Sequence, residues 1–207
     1  MAGHVVEVRN VGVELGGVPV LDGVDLVAGR GEIVAVLGEN GVGKSTLLRC
    51  LAGLQAGASG AVGVLGRPPA DDPEFWRDVV LVGDEPAWYP GLTVLEHLEM
   101  LASVHAGTRM TPDAALETFG LGERRDHAPL AMSTGQRQRL SLAMGLLRPS
   151  RLLLLDEPER GLDAAFRARL ASLLTGYAAD GGTVVMATHD PGLARNTGAR
   201  VVEVESA

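Results

Sequence analysis

The sequence predicts an α/β fold that combines a mostly parallel sheet, a small N-terminal antiparallel β part and an inserted helical lobe. Near-continuous apolar runs, which are typical of parallel strands covered on both faces, occur at residues 32–38, 151–158 and 183–190. Residues 5–26 instead alternate between apolar and polar side chains. Between the first and second apolar runs, residues 88–148 carry apolar side chains at helical spacing.

The length of 207 residues, with 46% hydrophobic residues, suits one well-packed domain. We place its core at about residues 1–87 and 149–207 and the helical lobe at about 88–148. The formal net charge of −8 and the pI near 5.1 mean that long-range electrostatics do not attract nucleic acid or anionic lipid, so no nucleic-acid partner is expected.

The beginning of the chain and its single cysteine bear on the cellular compartment. The first ten residues lack the basic and apolar segments of a signal peptide, and no apolar run approaches the ~18 residues of a membrane helix. Cys50 has no partner for an internal disulfide, and we expect it to be a small buried residue. We therefore expect a cytoplasmic protein that reaches a membrane only through another chain.

The first elements along the chain are a hairpin and a strand–loop–helix unit. Gly16 and Gly17 interrupt the alternating segment, which is a hairpin signal. The apolar run 32–38 leads into a glycine-rich turn and then into residues 45–53, whose apolar spacing and terminal glycine predict a short helix.

The turn after residue 38 has the spacing of a phosphate-binding loop. Gly38, four residues, Gly43, Lys44 and Ser45 follow the pattern, between a strand and a helix as the mechanism requires. Successive N–H groups and the helix start favour phosphate, Lys44 reaches the terminal phosphates, and Ser45 can ligate Mg²⁺. Lys44 is also the only lysine in the chain, against seventeen arginines, which indicates that a compact ammonium is required there.

The segment 88–148 is predicted to be mainly helical. Its clearest signal is an i, i+3, i+4, i+7 stripe closed by Pro149, comprising Leu140, Ala143, Met144 and Leu147. The histidines at 97, 105 and 127 are not spaced as a metal site, and we expect them to lie on the surface.

Polar side chains end the second and third apolar runs. Asp156 and Glu157 follow the second strand, where an aspartate can hold Mg²⁺ through water and a glutamate can activate the attacking water. His189 follows the third strand and can hydrogen-bond a γ-phosphate. Open α/β sheets bind ligands at the carboxyl ends of their strands, so these side chains are the catalytic candidates.

A second predicted phosphate cradle lies in the segment MSTGQRQRLSLA, residues 132–143. Ser133 stands where a helix begins, and Gly135 lets the backbone approach an anion. One nucleotide does not need two such cradles from one chain. The second cradle is therefore interpreted as serving the nucleotide of a partner copy.

Taken together, these motifs resemble the nucleotide-binding subunit of ATP-binding cassette (ABC) transporters over essentially the whole chain. The resemblance rests on GENGVGKST, on MSTGQ in place of LSGGQ, on LLLLDEP followed by GLD at residues 161–163, and on His189. It implies a P-loop NTPase core that binds ATP and Mg²⁺, with Ser45 and Asp156 as metal ligands. It also implies a head-to-tail pair of copies or homologous subunits in which Asp163 lies across the interface. The nucleotide would be bound by two sets of residues, one from each copy: Gly38, Glu39, Asn40, Gly41, Val42, Gly43, Lys44, Ser45 and Thr46, and then Ser133, Gly135 and Gln136.

Two departures from the family pattern bear on nucleotide binding. The family stacks an aromatic side chain on adenine where this chain has Leu15, and base stacking contributes about 1–3 kcal/mol. We therefore expect weaker ATP binding and less preference for adenine. The family also has a glutamine where this chain has Asp84, or Glu85 if the register differs by one, and a carboxylate there can also ligate Mg²⁺.

The predicted function is ATP hydrolysis that powers transport through a separate membrane-spanning subunit. The chain most resembles the subunits of exporters, so we expect the transport to be export. Trp88 and Tyr89 either contact that subunit or pack within the helical lobe. An ATP-binding regulatory module with little turnover is the alternative, and Glu157 argues against it. Soluble family members that act in DNA repair or translation usually carry two cassettes in tandem or a long coiled-coil insertion, and this sequence shows neither. A kinase function would leave the segment MSTGQ unexplained.

Overall fold

In a computed structural model, residues 3–83 and 88–204 are described, and they form two sheets flanked by helices. Asp84 and Glu85, predicted near the metal, lie outside the described residues. The strands are β1 (Val6–Leu15), β2 (Val18–Ala28), β3 (Ile33–Leu37), β4 (Ser59–Val64), β5 (Val79–Val82), β6 (Leu152–Asp156), β7 (Thr183–Ala187) and β8 (Arg200–Glu203).

Seven α-helices connect or cover these strands in the described ranges. They are α1 (Lys44–Leu51), α2 (Pro73–Asp78), α3 (Val94–Val104), α4 (Pro112–Thr118), α5 (Thr134–Leu147), α6 (Ala164–Ala179) and α7 (Pro191–Thr197). Two 3-10 turns, Gly122–Arg124 and Pro129–Ala131, lie between α4 and α5. None of these helices has the length and apolar character needed to cross a bilayer.

The larger sheet is parallel and has the order β5-β6-β7-β3-β8. Successive residues of its central strands enter different apolar clusters: Leu153 and Leu155 pack on one face, and Leu152 and Leu154 on the other. All four are fully buried. Burial of both faces explains why these strands read as unbroken apolar runs, and it confirms the predicted α/β class.

The smaller sheet is antiparallel, with the order β2-β1-β4. β1 and β2 pair from Leu15–Val18 back to Val6–Ala28, so the turn at Gly16 and Gly17 is the predicted hairpin. Both glycines have positive φ, 60° and 82°, which is the left-handed conformation that such a turn requires. Cys50 is buried as predicted, and burial raises the pKa of its thiol.

His97 is fully buried, so its prediction as a surface residue was wrong. His97 lies three residues after Val94 on α3, and Leu98 lies four residues after it. All three side chains are therefore on the inner face of the helix. The Nδ1 of His97 donates to the Thr93 carbonyl at 2.7 Å, and its Nε2 accepts from the Tyr89 N–H at 3.0 Å. Two hydrogen bonds satisfy both ring nitrogens, which is why an imidazole is tolerated in this core.

Removing side-chain volume from the parallel sheet provides a test of this core. Leu154→Ala deletes buried methyl groups from a central strand, and we expect the free energy of unfolding to fall by about 2–5 kcal/mol. The matched control is Leu130→Ala, because Leu130 is 78% exposed and loses little on truncation. Chemical denaturation measures both variants, and equal losses would contradict the placement of Leu154.

Candidate functional site

Three segments that carry predicted site residues begin at neighbouring strands of the parallel sheet. β7 lies between β6 and β3, so the segments after Asp156, Ala187 and Leu37 leave the same edge. The carboxyl edge of an open parallel sheet is the usual ligand site of such folds. The structure therefore brings together the predicted phosphate loop, the acidic pair and the strand-end histidine.

The phosphate loop has a backbone that only glycine satisfies at its last turn. Gly43 has φ 99° and directly precedes α1. A Cβ at this position would lie 2.5 Å from Leu21 Cδ2 and 2.7 Å from the Val20 carbonyl oxygen. Both the left-handed φ and the contact with β2 exclude a side chain, so the loop is held against the hairpin.

Lys44 is a buried cation whose partners lie within the same loop. Its Nζ donates to the carbonyl oxygens of Gly38 at 2.8 Å and Glu39 at 2.7 Å. The residue is 6% exposed. These bonds fold the loop around the ammonium and use two of its three donors, so one donor suits an anion bound in the loop.

The remaining predicted loop residues line the start of α1. Val42 and Thr46 are half-buried, whereas Glu39, Asn40, Gly41 and Ser45 are exposed. Since α1 begins at Lys44 with no side-chain cap, its first N–H groups are available to a ligand.

Glu157 occupies a strained backbone position directly after β6. Its φ is 45°, which is uncommon for a non-glycine residue and is typical of functional sites. The Glu157 N–H donates to the Ala187 carbonyl at 2.9 Å, which ties this turn to β7. On its other side, the Gln138 amide donates to the Pro158 carbonyl at 3.2 Å. Gln138 was not predicted, although it lies within the quoted MSTGQRQR segment.

His189 lies beside two carboxylates. Its Nδ1 is 3.8 Å from Glu157 Oε1 and 3.4 Å from Glu159 Oε1, and its side chain is 55% exposed. The structure thus places His189 beside Glu157, the other residue predicted to be catalytic. Glu159 was not predicted, because the sequence DEPER does not indicate whether the side chain of its third acidic residue points into the protein or towards solvent.

The predicted second cradle is a well-formed helix start. The Ser133 hydroxyl accepts from the Gln136 N–H at 3.2 Å, and the Gln136 side chain accepts from the Ser133 N–H at 3.0 Å. This reciprocal capping box fixes the first turn of α5. Within the described ranges, no hydrogen bond joins residues 133–136 to residues 38–46 of the same chain.

Asp163 is tied to the second cradle rather than to the phosphate loop. Its carboxylate caps α6 by accepting from the Phe166 N–H at 2.8 Å, and it pairs with Arg139 at 2.7 Å. The Phe166 N–H, assisted by the Arg139 guanidinium, lowers the pKa of Asp163. Asp163 is exposed, so a role across an interface between copies stays a prediction.

The oxygen ligands predicted for Mg²⁺ are compatible with that ion. Ser45 offers an exposed hydroxyl, and Asp156 offers a carboxylate at the end of β6. Mg²⁺ is usually held by one or two protein oxygens together with substrate phosphates. Among the described residues no cluster of three or more potential side-chain ligands forms a separate metal site.

Leu15 is the residue predicted to stand in the adenine-stacking position. It ends β1 and is 47% exposed, which leaves its side chain accessible to a ligand. Asp84, the other departure, lies outside the described residues, so its predicted metal contact stays a prediction.

The sequence matches a known family profile and is similar to known proteins over most of its length. The ABC transporter family profile matches residues 21–160. The cytochrome c biogenesis ATP-binding export protein CcmA of Mesorhizobium japonicum is 40% identical over 184 residues, which cover 88% of this chain and 90% of that protein. The uncharacterized ABC transporter ATP-binding protein YbbA of Escherichia coli K12 is 39% identical over 186 residues, covering 84% and 82%.

Two solved structures have a fold similar to that of this chain. A dimeric bacterial ABC transporter cassette superposes with a TM-score of 0.82 at 29% identity, covering 96% of this chain and 94% of its own. An ATP-binding subunit of an ABC transporter gives a TM-score of 0.84 at 28% identity, covering 97% and 86%.

The contact between Gly135 and Gly161 gives a test of the site's local packing. A Cβ on Gly135 would lie 2.3 Å from the Gly161 carbonyl oxygen, so Gly135→Ala must displace residues 161–163. We expect a lower melting temperature and faster amide exchange around Asp163. Gly176→Ala is the matched control, because that Cβ meets nothing within 4 Å in the last turn of α6 and should stabilise by up to about 1 kcal/mol. Unchanged exchange in Gly135→Ala would contradict the contact.

Proposed function

The chain belongs to the ABC transporter family, and from that membership we propose that it couples ATP hydrolysis to export through a separate membrane-spanning subunit. As an ABC ATP-binding subunit it binds and hydrolyses ATP. The observation that carries the proposal is the meeting of the phosphate loop, the Asp156–Glu157 pair and His189 at one sheet edge. Export follows the similarity to the export protein CcmA.

Each side chain at this edge has a defined part in the proposed reaction. Lys44 and the first N–H groups of α1 hold the terminal phosphates. Glu157 accepts the proton of the attacking water, and His189 hydrogen-bonds the γ-phosphate. Ser45 directly, and Asp156 through water, would hold Mg²⁺, which when bound offsets the negative charge on the phosphates.

We further propose that two copies, or this chain and a homologous subunit, form the complete site. Ser133, Gly135 and Gln136 form a helix start that no hydrogen bond joins to this chain's own phosphate loop among the described residues. A dimeric cassette with a TM-score of 0.82 supports a pair of copies. In the proposed pair the copies lie head to tail, so that each helix start faces the partner's nucleotide. The assembly would be peripheral at the inner face of the cell membrane, attached through the membrane subunit.

The exposed surface around Tyr89 is the proposed contact with that membrane subunit. Tyr89 is 54% exposed, and Trp88 packs partly against the core next to the buried His97. Each of the two interpretations therefore fits one residue of the pair: Trp88 packs against the core, and Tyr89 is exposed and can contact the membrane subunit.

The Glu157→Gln variant tests the reaction and the dimer together. Removing the proton acceptor should lower the ATP hydrolysis rate by about 100-fold or more, since a positioned general base contributes 10²–10⁴-fold. The variant should then accumulate as an ATP-bound dimer, which light scattering detects as a doubled mass.

Glu117→Gln is the control for Glu157→Gln, because Glu117 is an exposed glutamate on α4 and the chemical change is the same. It should hydrolyse ATP at the unaltered rate. If the unaltered protein dimerises on ATP without turnover, the regulatory alternative is right and the hydrolytic role of Glu157 is wrong.

The leucine at position 15 leads us to expect that the nucleotide site discriminates only weakly between adenine and guanine. We expect ATP and GTP to be hydrolysed with similar kcat/KM, because no aromatic ring at residue 15 stacks on the base. Leu15→Tyr should tighten nucleotide binding by about 1–3 kcal/mol, measured by titration calorimetry. Val104→Tyr adds the same ring at a 67% exposed position on α3 and should leave the affinity unchanged. A strong ATP preference in the unaltered protein would overturn the prediction.

A further inference from the structure

A cleft lined by arginines lies at the amino edge of the parallel sheet, opposite the edge that carries the phosphate loop. The segments that precede β3, β6 and β7 form its walls. Its volume of about 550 Å³ is within the usual range of small-molecule sites, roughly 300–1,000 Å³. The charged side chains that line it include three arginines and one carboxylate: Arg30, Arg109, Arg151 and Asp180. The proposed ATPase reaction does not use this edge.

The guanidinium of Arg109 is held in place on one wall of the cleft. Its Cζ lies 4.2 Å from the centroid of the Tyr177 ring, and the side chain is 23% exposed. The Tyr177 hydroxyl in turn donates to the Ser150 carbonyl at 3.0 Å, and both of these residues are buried. A guanidinium that is already stacked and oriented loses little conformational freedom when it binds an anion.

Arg30 brings a second guanidinium to the same part of the cleft. A Cβ on Gly181 would lie 2.9 Å from Arg30 Nε and 3.0 Å from its Nη2, so this guanidinium lies directly beside the Gly181 backbone. The neighbouring residue, Asp180, has its Oδ2 at 3.3 Å from Arg109 Nη1. The two guanidinium groups are therefore placed at adjacent residues of one turn.

The ion pairs of the cleft leave positive charge uncompensated. Asp180 is 72% exposed and is reached by one nitrogen of Arg109, and Arg151 lies 3.6 Å from Asp78. Exposed pairs of this kind contribute little to stability. Within residues 3–83 and 88–204, Arg30 forms no ion pair. Three arginines thus meet two carboxylates in a protein whose net charge is −8, and a cleft with a local excess of positive charge concentrates anions.

We propose that this cleft is a binding site for a small phosphorylated anion, separate from the nucleotide site. A guanidinium presents a planar fork of N–H donors that matches phosphate oxygens, and the resulting charge-assisted hydrogen bonds are stronger than neutral ones. Two such forks beside one turn suit two linked phosphate groups, and the volume of the cleft leaves room for an organic group attached to them. The site goes beyond the proposed ATPase function and does not depend on it.

Inorganic pyrophosphate is the probe, because it carries two linked phosphates without a base. Its binding is followed by ¹H–¹⁵N NMR, which separates the cleft from the phosphate loop residue by residue. We expect the backbone N–H signals of Gly181 and Gly182 to shift and to saturate. If pyrophosphate shifts only the signals of residues 38–46, the proposal is wrong. Sodium chloride at the same ionic strength should leave the cleft signals in place, and an equal shift with chloride would also overturn the site.

The Arg30→Gln variant tests whether the arginines bind the anion. Arg30 is exposed and has no ion pair in the described ranges, so the variant should fold. Since charge-assisted hydrogen bonds are lost, we expect the pyrophosphate concentration that half-saturates the Gly181 and Gly182 signals to rise about 10-fold or more. Any shifts at residues 38–46 should keep their midpoint, because that loop lies at the opposite edge of the sheet.

Arg169→Gln is the matched control for Arg30→Gln. Arg169 is an exposed arginine on α6 that does not line the cleft, and the chemical change is the same. This variant should bind pyrophosphate in the cleft with unchanged affinity. Equal weakening in both variants would attribute the effect to net charge and overturn the site, and so would unchanged affinity in Arg30→Gln.

Discussion

The parallel pairing of β6, β7 and β3 is the constraint on which the rest of the site depends. The pairs Asp156–Ala187 and Val36–Ala187 bring the ends of three strands to one level. A shift of one residue would turn the alternate side chains of a strand to the opposite face. The two fully buried faces prevent this shift, because Leu152 to Leu155 fill both apolar clusters in turn. Core packing thus sets the position of the chemical groups.

Beyond this edge, two backbone conformations with positive φ shape the site. At Gly43 the close approach of Leu21 and Val20 excludes a side chain, and glycine accepts the conformation without steric cost. At Glu157 the side chain is needed for chemistry, so the strained φ of 45° must be offset elsewhere. The bonds from Glu157 N–H to Ala187 and from Gln138 to Pro158 supply that support from β7 and α5.

Sequence patterns predicted the elements with strong local signals and missed those that depend on tertiary contacts. The hairpin, the phosphate loop and the buried strands follow from glycine placement and apolar runs. The strand β4 contains two glycines and is exposed over its first three residues, and only its pairing with β1 reveals it. His97 was predicted to lie on the surface because the histidines are not spaced as a metal site, whereas its position three residues after Val94 places it on the buried face of α3. Glu159 was missed because a buried carboxylate is recognisable only from partners that are distant in sequence, such as Thr188.

The distribution of acidic side chains among the helix starts also supports the two proposed phosphate cradles, and this support does not depend on the sequence motifs. Of the seven α-helices in the described ranges, five carry a carboxylate at the N-cap or in the first turn, where it compensates the positive end of the helix dipole: Asp72 and Glu74 on α2, Glu96 on α3, Asp113 on α4, Asp163 on α6 and Asp190 on α7. Only α1 and α5 begin without one, and these are the helices after the phosphate loop and at Ser133. Even the capping box of α5 uses the neutral Gln136 where α3 uses Glu96. In a protein with a net charge of −8, leaving these two helix starts uncompensated favours an external anion at each, as the proposed sandwich of two copies requires.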